Sequence, residues 1–232
     1  MKLAIPVLAA ALAASAALSA CAPLVVGAIV GGTALVATDR RTTGAQVDDT
    51  TMHLRVSNEL SAALKGLDVH ISVNSFERKI LLTGEVPNEQ VKAQAGEVAA
   101  RSANVRAVVN ELTVAPPSSF GQRTNDTGLG AKVRAAFVNT KQIAFNSVDI
   151  VTERGVVYLL GFVTEKEGEV AAHVASRVAG VRQVVKVFDY GSAEEVQRRR
   201  DSAGLPPPAT PAPTTPATTT APATTAPGAA PR

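Results

Sequence analysis

One thiol, three imidazoles and a scatter of carboxylates are the reactive side chains of this 232-residue chain. Cys21 is the only cysteine, so no disulfide forms within one chain and the thiol is available as a nucleophile, metal ligand or acyl acceptor. His53, His70 and His173 stand far apart, with no His-x-x-x-His spacing for a metal. Their positions read as a polar helix site, the solvent phase of a strand and an Ala-rich helix, so surface or hydrogen-bond-satisfied roles are expected. Glu165-x-Glu167-x-Glu169 overlaps a predicted helix start, where negative charge complements the dipole, and needs no catalytic explanation. Gly27-x-x-x-Gly31-Gly32 lacks the lysine of a phosphate-binding loop. No constellation for hydrolysis, metal binding or cofactor binding emerges.

The chemistry of Cys21 is set by what precedes it. Met1-Lys2 supplies a positive start, Ala4 to Leu18 is almost continuously apolar, and Ser19-Ala20 are small. Leu18-Ser19-Ala20-Cys21 resembles the lipobox of bacterial lipoproteins. That resemblance implies cleavage before Cys21, diacylglycerol on its thiol and acylation of the new N-terminus. The only expected prosthetic group is this covalent N-acyl diacylglycerol; no other cofactor is expected. The second mature residue is Ala22, not the Asp that marks inner-membrane retention in enteric-type lipoproteins. The expected destination is therefore the outer membrane, facing the periplasm. Leu24 to Ala37 is apolar but short and glycine-bearing, and reads as a membrane-proximal or protein-packed segment.

Composition narrows the rest. Aromatic residues make up 3% and tryptophan is absent, so cores must be built from Val, Leu, Ile and Ala. A net charge of +3 is too small to argue for nucleic acid. The charge that stands out is local: Lys132, Arg134 and Lys141 meet no acid between Asp126 and Asp149. At 100° per residue Arg134, Val138 and Lys141 fall on one side of a helix, away from a Leu129/Val133/Ala136 stripe. An exposed valine between cations suits a phospholipid headgroup region, each cation contributing about 1 kcal/mol near an anionic surface. A solvated basic face is the alternative.

Stepping outward from that helix, a repeat organises the middle of the chain. Arg55-Val56 aligns with Lys132-Val133, Ile71-x-Val73 with Val148-x-Ile150, and Leu82-Thr83-Gly84-Glu85-Val86 with Leu159-Leu160-Gly161-Phe162-Val163. After a one-residue gap, Val105-Arg106-x-Val108-Val109 falls on Val181-Arg182-x-Val184-Val185. Each copy reads as helix, two short strands, helix, strand. The first helices are expected over Thr51 to Leu64, capped by Asp49 or Thr50, and over about Thr127 to Lys141. Strand pairs flank turns at Ser75-Phe76-Glu77-Arg78 and Thr152-Glu153-Arg154-Gly155. Pro87-Asn88 and the capping-box spacing Thr164 to Glu167 open the second helices. Val105 to Val114 and Val181 to Tyr190 close the units. The order αββαβ predicts an α+β fold: two small domains, each a mixed sheet with two helices packed on one face.

This pattern, with its strand-ending glycine, Ala-rich second helix and Gly180-Val181-Arg182-x-Val184, resembles the BON domain family. Asn104 replaces Gly180 in the first copy, and both tolerate a left-handed cap. Thr38-Asp39-Arg40-Arg41-x-x-Gly44-x-Gln46-Val47-Asp48-Asp49, Asn125-Asp126-Thr127 and Ala175-Ser176-Arg177-Val178 extend the resemblance to dual-BON outer-membrane lipoproteins, a division- and outer-membrane-stress-associated lipid-binding family. The resemblance implies a non-enzymatic role in envelope integrity and binding of anionic phospholipid such as phosphatidylglycerol or cardiolipin. The residues that would carry it are Lys132, Arg134, Val138 and Lys141, with Leu129 and Phe137. Gly128 stands where relatives can carry an aromatic, which shifts weight onto Leu129 and Phe137, whose alternative role is core packing. An envelope protein–protein adaptor, with protein partners at a sheet edge or the tail, is the competing function.

The expected organisation is a signal peptide over 1–20, a lipidated linker over 21–48, BON domains over 49–114 and 126–190 joined by 115–125, and a disordered Pro/Thr/Ala-rich tail over 191–232. Glu194 to Arg200 begins that tail as a charged extension with helical potential. From Gly204 the composition cannot bury enough surface to offset ordering entropy.

Overall fold

The computed structural model describes residues 39–140 and 147–203. Cys21, Lys141 and the Pro/Thr/Ala-rich stretch from residue 204 lie outside these. The first module runs α1 (Thr43–Ala63), β1 (His70–Phe76), β2 (Lys79–Val86), α2 (Glu89–Arg101), β3 (Ala107–Asn110) and β4 (Thr113–Val114). The second runs α3 (Phe120–Asn139), β5 (Asp149–Glu153), β6 (Val156–Val163), α4 (Glu165–Ser176) and β7 (Gln183–Tyr190), followed by α5 (Ala193–Ser202). No helix among the described residues is long and apolar enough to cross a membrane.

Both modules have the expected α+β design. In the first, β1 pairs antiparallel with β2, and β2 pairs parallel with β3 and β4 across the α2 crossover. In the second, β6 is central between antiparallel β5 and parallel β7. The closing strand of the first module is interrupted. Its register is unchanged, Leu82 facing Asn110 and Glu85 facing Thr113, but the Asn110 side chain accepts the Leu112 amide and Leu112 turns into the core.

Two helices start earlier than the sequence pattern predicts. α1 is capped by Thr42, not Asp49 or Thr50, and α3 by Ser119, whose hydroxyl and Gln122 form a capping box. The linkers over 21–48 and 115–125 thus contain the first turns of these helices. Asp49 caps nothing. Its carboxylate accepts the amides of Glu77 and Arg78 at 2.9 and 3.0 Å, and Asp126 accepts those of Arg154 and Gly155 at 2.8 Å. All four turn residues have positive φ, the geometry of a type I′ hairpin. Glu77 and Arg78 adopt it without a glycine because the helix supplies an acceptor for both amides. Asn104 (φ 70°) and Gly180 (φ 103°) both take the left-handed conformation expected of them. Gly84 and Gly161 are dictated by close approach: a Cβ would lie 2.0 Å from the His70 carbonyl oxygen and 2.5 Å from that of Ser147.

Each sheet buries both faces. Ile80, Leu82 and Val86 meet Met52, Val56, Leu60, Val91, Ala95 and Ala99 under the helices, and Val157, Leu159 and Val163 meet Val133, Phe137, Ala171 and Ala175 in the second module. The opposite faces form a third core, in which Phe76 and Leu81 join Tyr158, Leu160, Phe162, Val187 and Val196. The layers are therefore helices, sheet, sheet, helices. The near-continuous apolar runs of β2 and β6 carry this signature, since a strand open to water on one face alternates. Burial also pushes the Tyr158 hydroxyl up to about 12, with the charges of Glu111 and Glu153 adding to it.

Polar straps rim that core. Lys79 donates to the Val187 and Phe188 carbonyls and pairs with Asp189 at 2.9 Å, where Arg106 joins at 2.6 Å. Arg41 pairs with Asp49 of the first module and Asp149 of the second, both at 3.1 Å. Burial opposes its charge, but the hydrogen bond of Asp39, the charges of Asp149 and Asp39 and the hydrogen bond of Asp49 hold the guanidinium above its ordinary value. Arg40 reaches the Phe162 carbonyl at 3.0 Å and Glu167 at 2.5 Å. The Asp39-Arg40-Arg41 motif thus ties the two modules together. The expectation of disorder from residue 191 is corrected: the charged extension past Tyr190 is α5, because Val196 enters the third core and Arg199 pairs with Glu77.

Candidate membrane-facing helix

Helix α3 positions the basic residues singled out by sequence. Its mid-line of buried residues, Asp126, Leu129, Val133 and Phe137, latches the hairpin and packs on the second module's core. Leu129 is 6% exposed and Phe137 is fully buried. This corrects their assignment to a lipid-contacting set: both are core residues, because the helix turns them toward β5 and β6. Lys132 and Arg134 are exposed, and Val138 is 54% exposed. Gly128 has nothing within 4 Å of where a side chain would start, so it faces open space.

The earlier start of the helix adds residues that sequence reasoning missed. Phe120 is 78% exposed in the first turn, the largest exposure of any large hydrophobic side chain given for the described residues. Eighteen residues make five turns, so Phe120 and Val138 lie on one line about 27 Å apart. Arg123, Thr127, Ala131 and Arg134 fall within about 60° of that line, and Lys132 lies about 120° from it. The face is an apolar residue at each end, small residues between and two arginines along one side. The signal was present as the Ser119-x-x-Gln122 capping box; Gly128 and Gly130 obscured it by weakening the helical pattern downstream.

Arg134 is not wholly free. It lines a cleft of about 470 Å³ with Arg41, Asp49, His53 and Asp149. Burial holds the Asp149 carboxyl above its ordinary value, with Arg41 and Arg134 pulling the other way. His53 is satisfied there by the Val73 carbonyl at 2.7 Å. His70 does not stand alone on a solvent face: it meets the buried Glu85 at 3.1 Å. Glu165 and Glu167 stand in the first turn of α4, and Glu167 closes a capping box with Thr164 and takes Arg40, so the acidic run is structural.

The same αββαβ unit therefore occurs twice, latched by Asp49 in one copy and Asp126 in the other. The family model described as "BON domain" matches residues 48–116 and again 125–192. The chain belongs to the BON domain family. Among BON relatives, it is 39% identical over 170 residues to "Outer membrane lipoprotein DolP" of Haemophilus influenzae, covering 71% of this chain and 88% of that one. It is 31% identical over 154 residues to "21 kDa hemolysin" of Actinobacillus pleuropneumoniae, covering 66% and 79%. A solved structure of CdsD, a structural protein of the type III secretion system of Chlamydia trachomatis, aligns with TM-score 0.27 and 12% identity over 62% of this chain and 96% of that one. That likeness is too slight to bear on function.

Proposed function

We propose that this BON protein is a non-enzymatic, lipid-anchored protein of the periplasmic face of the outer membrane. In this reading it binds anionic phospholipid through α3 and supports envelope integrity, including at division sites. The outer-membrane assignment rests on the lipoprotein relative and on the Leu18-Ser19-Ala20-Cys21 motif. The observation that carries the lipid reading is the exposed line from Phe120 to Val138 with Arg123 and Arg134 beside it. A helix lying in the membrane plane needs an apolar ridge to enter the headgroup boundary and cations to meet phosphate. Acyl chains on Cys21 would supply residence, and the arginines a preference among lipids.

The test uses the chain from residue 39 onward, which keeps all three cores. It should co-float with vesicles containing phosphatidylglycerol or cardiolipin more than with phosphatidylcholine vesicles. Reversing Arg123 and Arg134 to Glu should cut this by about tenfold or more, at about 1 kcal/mol per cation near the surface. Equal flotation on both vesicle types, or indifference to the reversal, overturns the assignment.

One observation favours a protein adaptor instead. Val47 and Leu54 are 61% and 56% exposed on α1, seven residues apart and so on one face. A partner crosslinked to α1 that persists in the Arg123/Arg134 double variant would support that reading.

A further inference from the structure

The geometry points to a divalent-cation site of zinc type at the junction of the modules, formed by His70 and Glu85 of the first and Glu153 of the second. One ring nitrogen of His70 and one carboxylate oxygen from each glutamate lie within 4.8 Å of one another. Zinc holds such donors at about 2.0–2.2 Å, so the cluster has to contract by roughly an ångström at its widest. Small side-chain rotations supply that.

Glu153 is the observation that calls for a ligand. It is 8% exposed, it sits at the end of β5 against β6, and its carboxylate accepts no hydrogen bond from any described residue. Its oxygens are not among the fully enclosed unpaired atoms, so water reaches them, and a carboxylate this deep with no protein donor is open to a cation. The charged groups that reach it are Glu85, His70, Asp126 and Arg154, which with Glu153 itself makes three acids against one fixed cation. The local charge therefore favours an incoming cation.

The surroundings are those of a held ligand set. Glu85 is fully buried, and both Ser118 and Arg154 donate to its Oε1. That leaves Oε2 toward His70 Nδ1 at 3.1 Å. Outer hydrogen bonds of this kind fix a ligating carboxylate. Zinc on Nδ1 would take the place of the Nδ1···Oε2 hydrogen bond, with the ring proton carried on Nε2. The His70 side chain is 25% exposed, which gives the ion a route in and leaves room for water as a fourth ligand. Imidazole with carboxylates suits zinc better than magnesium or calcium, which prefer all-oxygen sets. The ion would staple the two modules at a point where buried carboxylates face each other, independently of any lipid contact at α3.

The full chain, purified in detergent and stripped with chelator, is dialysed against micromolar zinc chloride at neutral pH. We expect one zinc retained per chain and a Tm that rises with zinc. Glu153→Gln and His70→Asn should each weaken retention by about tenfold or more and abolish the zinc-dependent rise, while the metal-free Tm shows that each variant is folded. No zinc retained, or retention undiminished in Glu153→Gln, overturns the site.

Discussion

The guanidinium of Arg199 lies 3.5 Å from the centroid of the Phe162 ring and pairs at the same time with Glu77. A residue beyond the second repeat thereby touches the second module's ring and the first module's hairpin. The cation–π contact contributes about 0.5–2 kcal/mol, and the ring itself fills the core between sheets. Phe162→Ala should cost about 3–5 kcal/mol and Arg199→Ala about 1–2 kcal/mol, measured by urea unfolding. Because the two residues touch, their effects should not add. Strict additivity in the double variant would mean the contact contributes nothing.

Glu153→Gln should raise stability in chelator at neutral pH. Burial first, then Glu85, hold the Glu153 carboxyl above its ordinary value, so the folded chain keeps that proton more tightly than the unfolded one. Its favourable contribution is fully present below the unfolded value and lost as pH rises through the folded one. At neutral pH the ionised group is a net cost, and removing it should raise Tm, each kcal/mol recovered counting for about 2–4 °C in a chain of this size. The gain should vanish below about pH 4, near and under the unfolded carboxyl value. A Tm series against pH for the two proteins decides this.

Asp189 carries the opposite sign. Burial alone would raise it, but the hydrogen bonds and charges of Lys79 and Arg106 outweigh that and hold it below its ordinary value. Its stabilisation is present above the unfolded value of about 3.9 and is lost as pH falls through the folded value. Asp189→Asn should therefore lower Tm at neutral pH and converge with the parent at the acid end. A variant that instead diverges further on acidification would contradict the Lys79–Asp189–Arg106 assignment.

Asp126→Ala strips the acceptor from the Arg154 and Gly155 amides, and Asp49→Ala does the same to Glu77 and Arg78. Leaving a buried donor unpaired costs about 1–3 kcal/mol. Asp49→Ala should be the worse of the two, because neither of its turn residues is glycine. Hydrogen exchange at these four amides should accelerate in the matching variant alone.

The alternating β1, the capping box at Thr164 and the left-handed caps at Asn104 and Gly180 were legible because each is a local rule. The starts of α1 and α3 were not. The apolar pattern weakens over Thr43 to Thr50 and over Phe120 to Gly130, and both stretches are held by tertiary contacts, Arg41 on Asp49 and Asp126 on the hairpin. Phe137 and Leu129 were ambiguous for a related reason: the 3.6-residue period separates faces of a helix, but does not say which face meets protein. The Glu85, His70 and Glu153 grouping was illegible in principle, since it joins residues from both modules through a packing of sheet faces that no pair spacing records.

The third core has a consequence for how the repeat can be handled. Either module cut loose would display the apolar back of its sheet, Phe76 and Leu81 on one, Tyr158, Leu160 and Phe162 on the other. Such a half would seek a substitute cover, and the most available one is the corresponding face of another copy. A chain cleaved between the two units would thus leave adhesive halves, while the intact chain gives each half its partner at an effective concentration set by the short connection between them. The duplication is held in place by chain connectivity as much as by contacts.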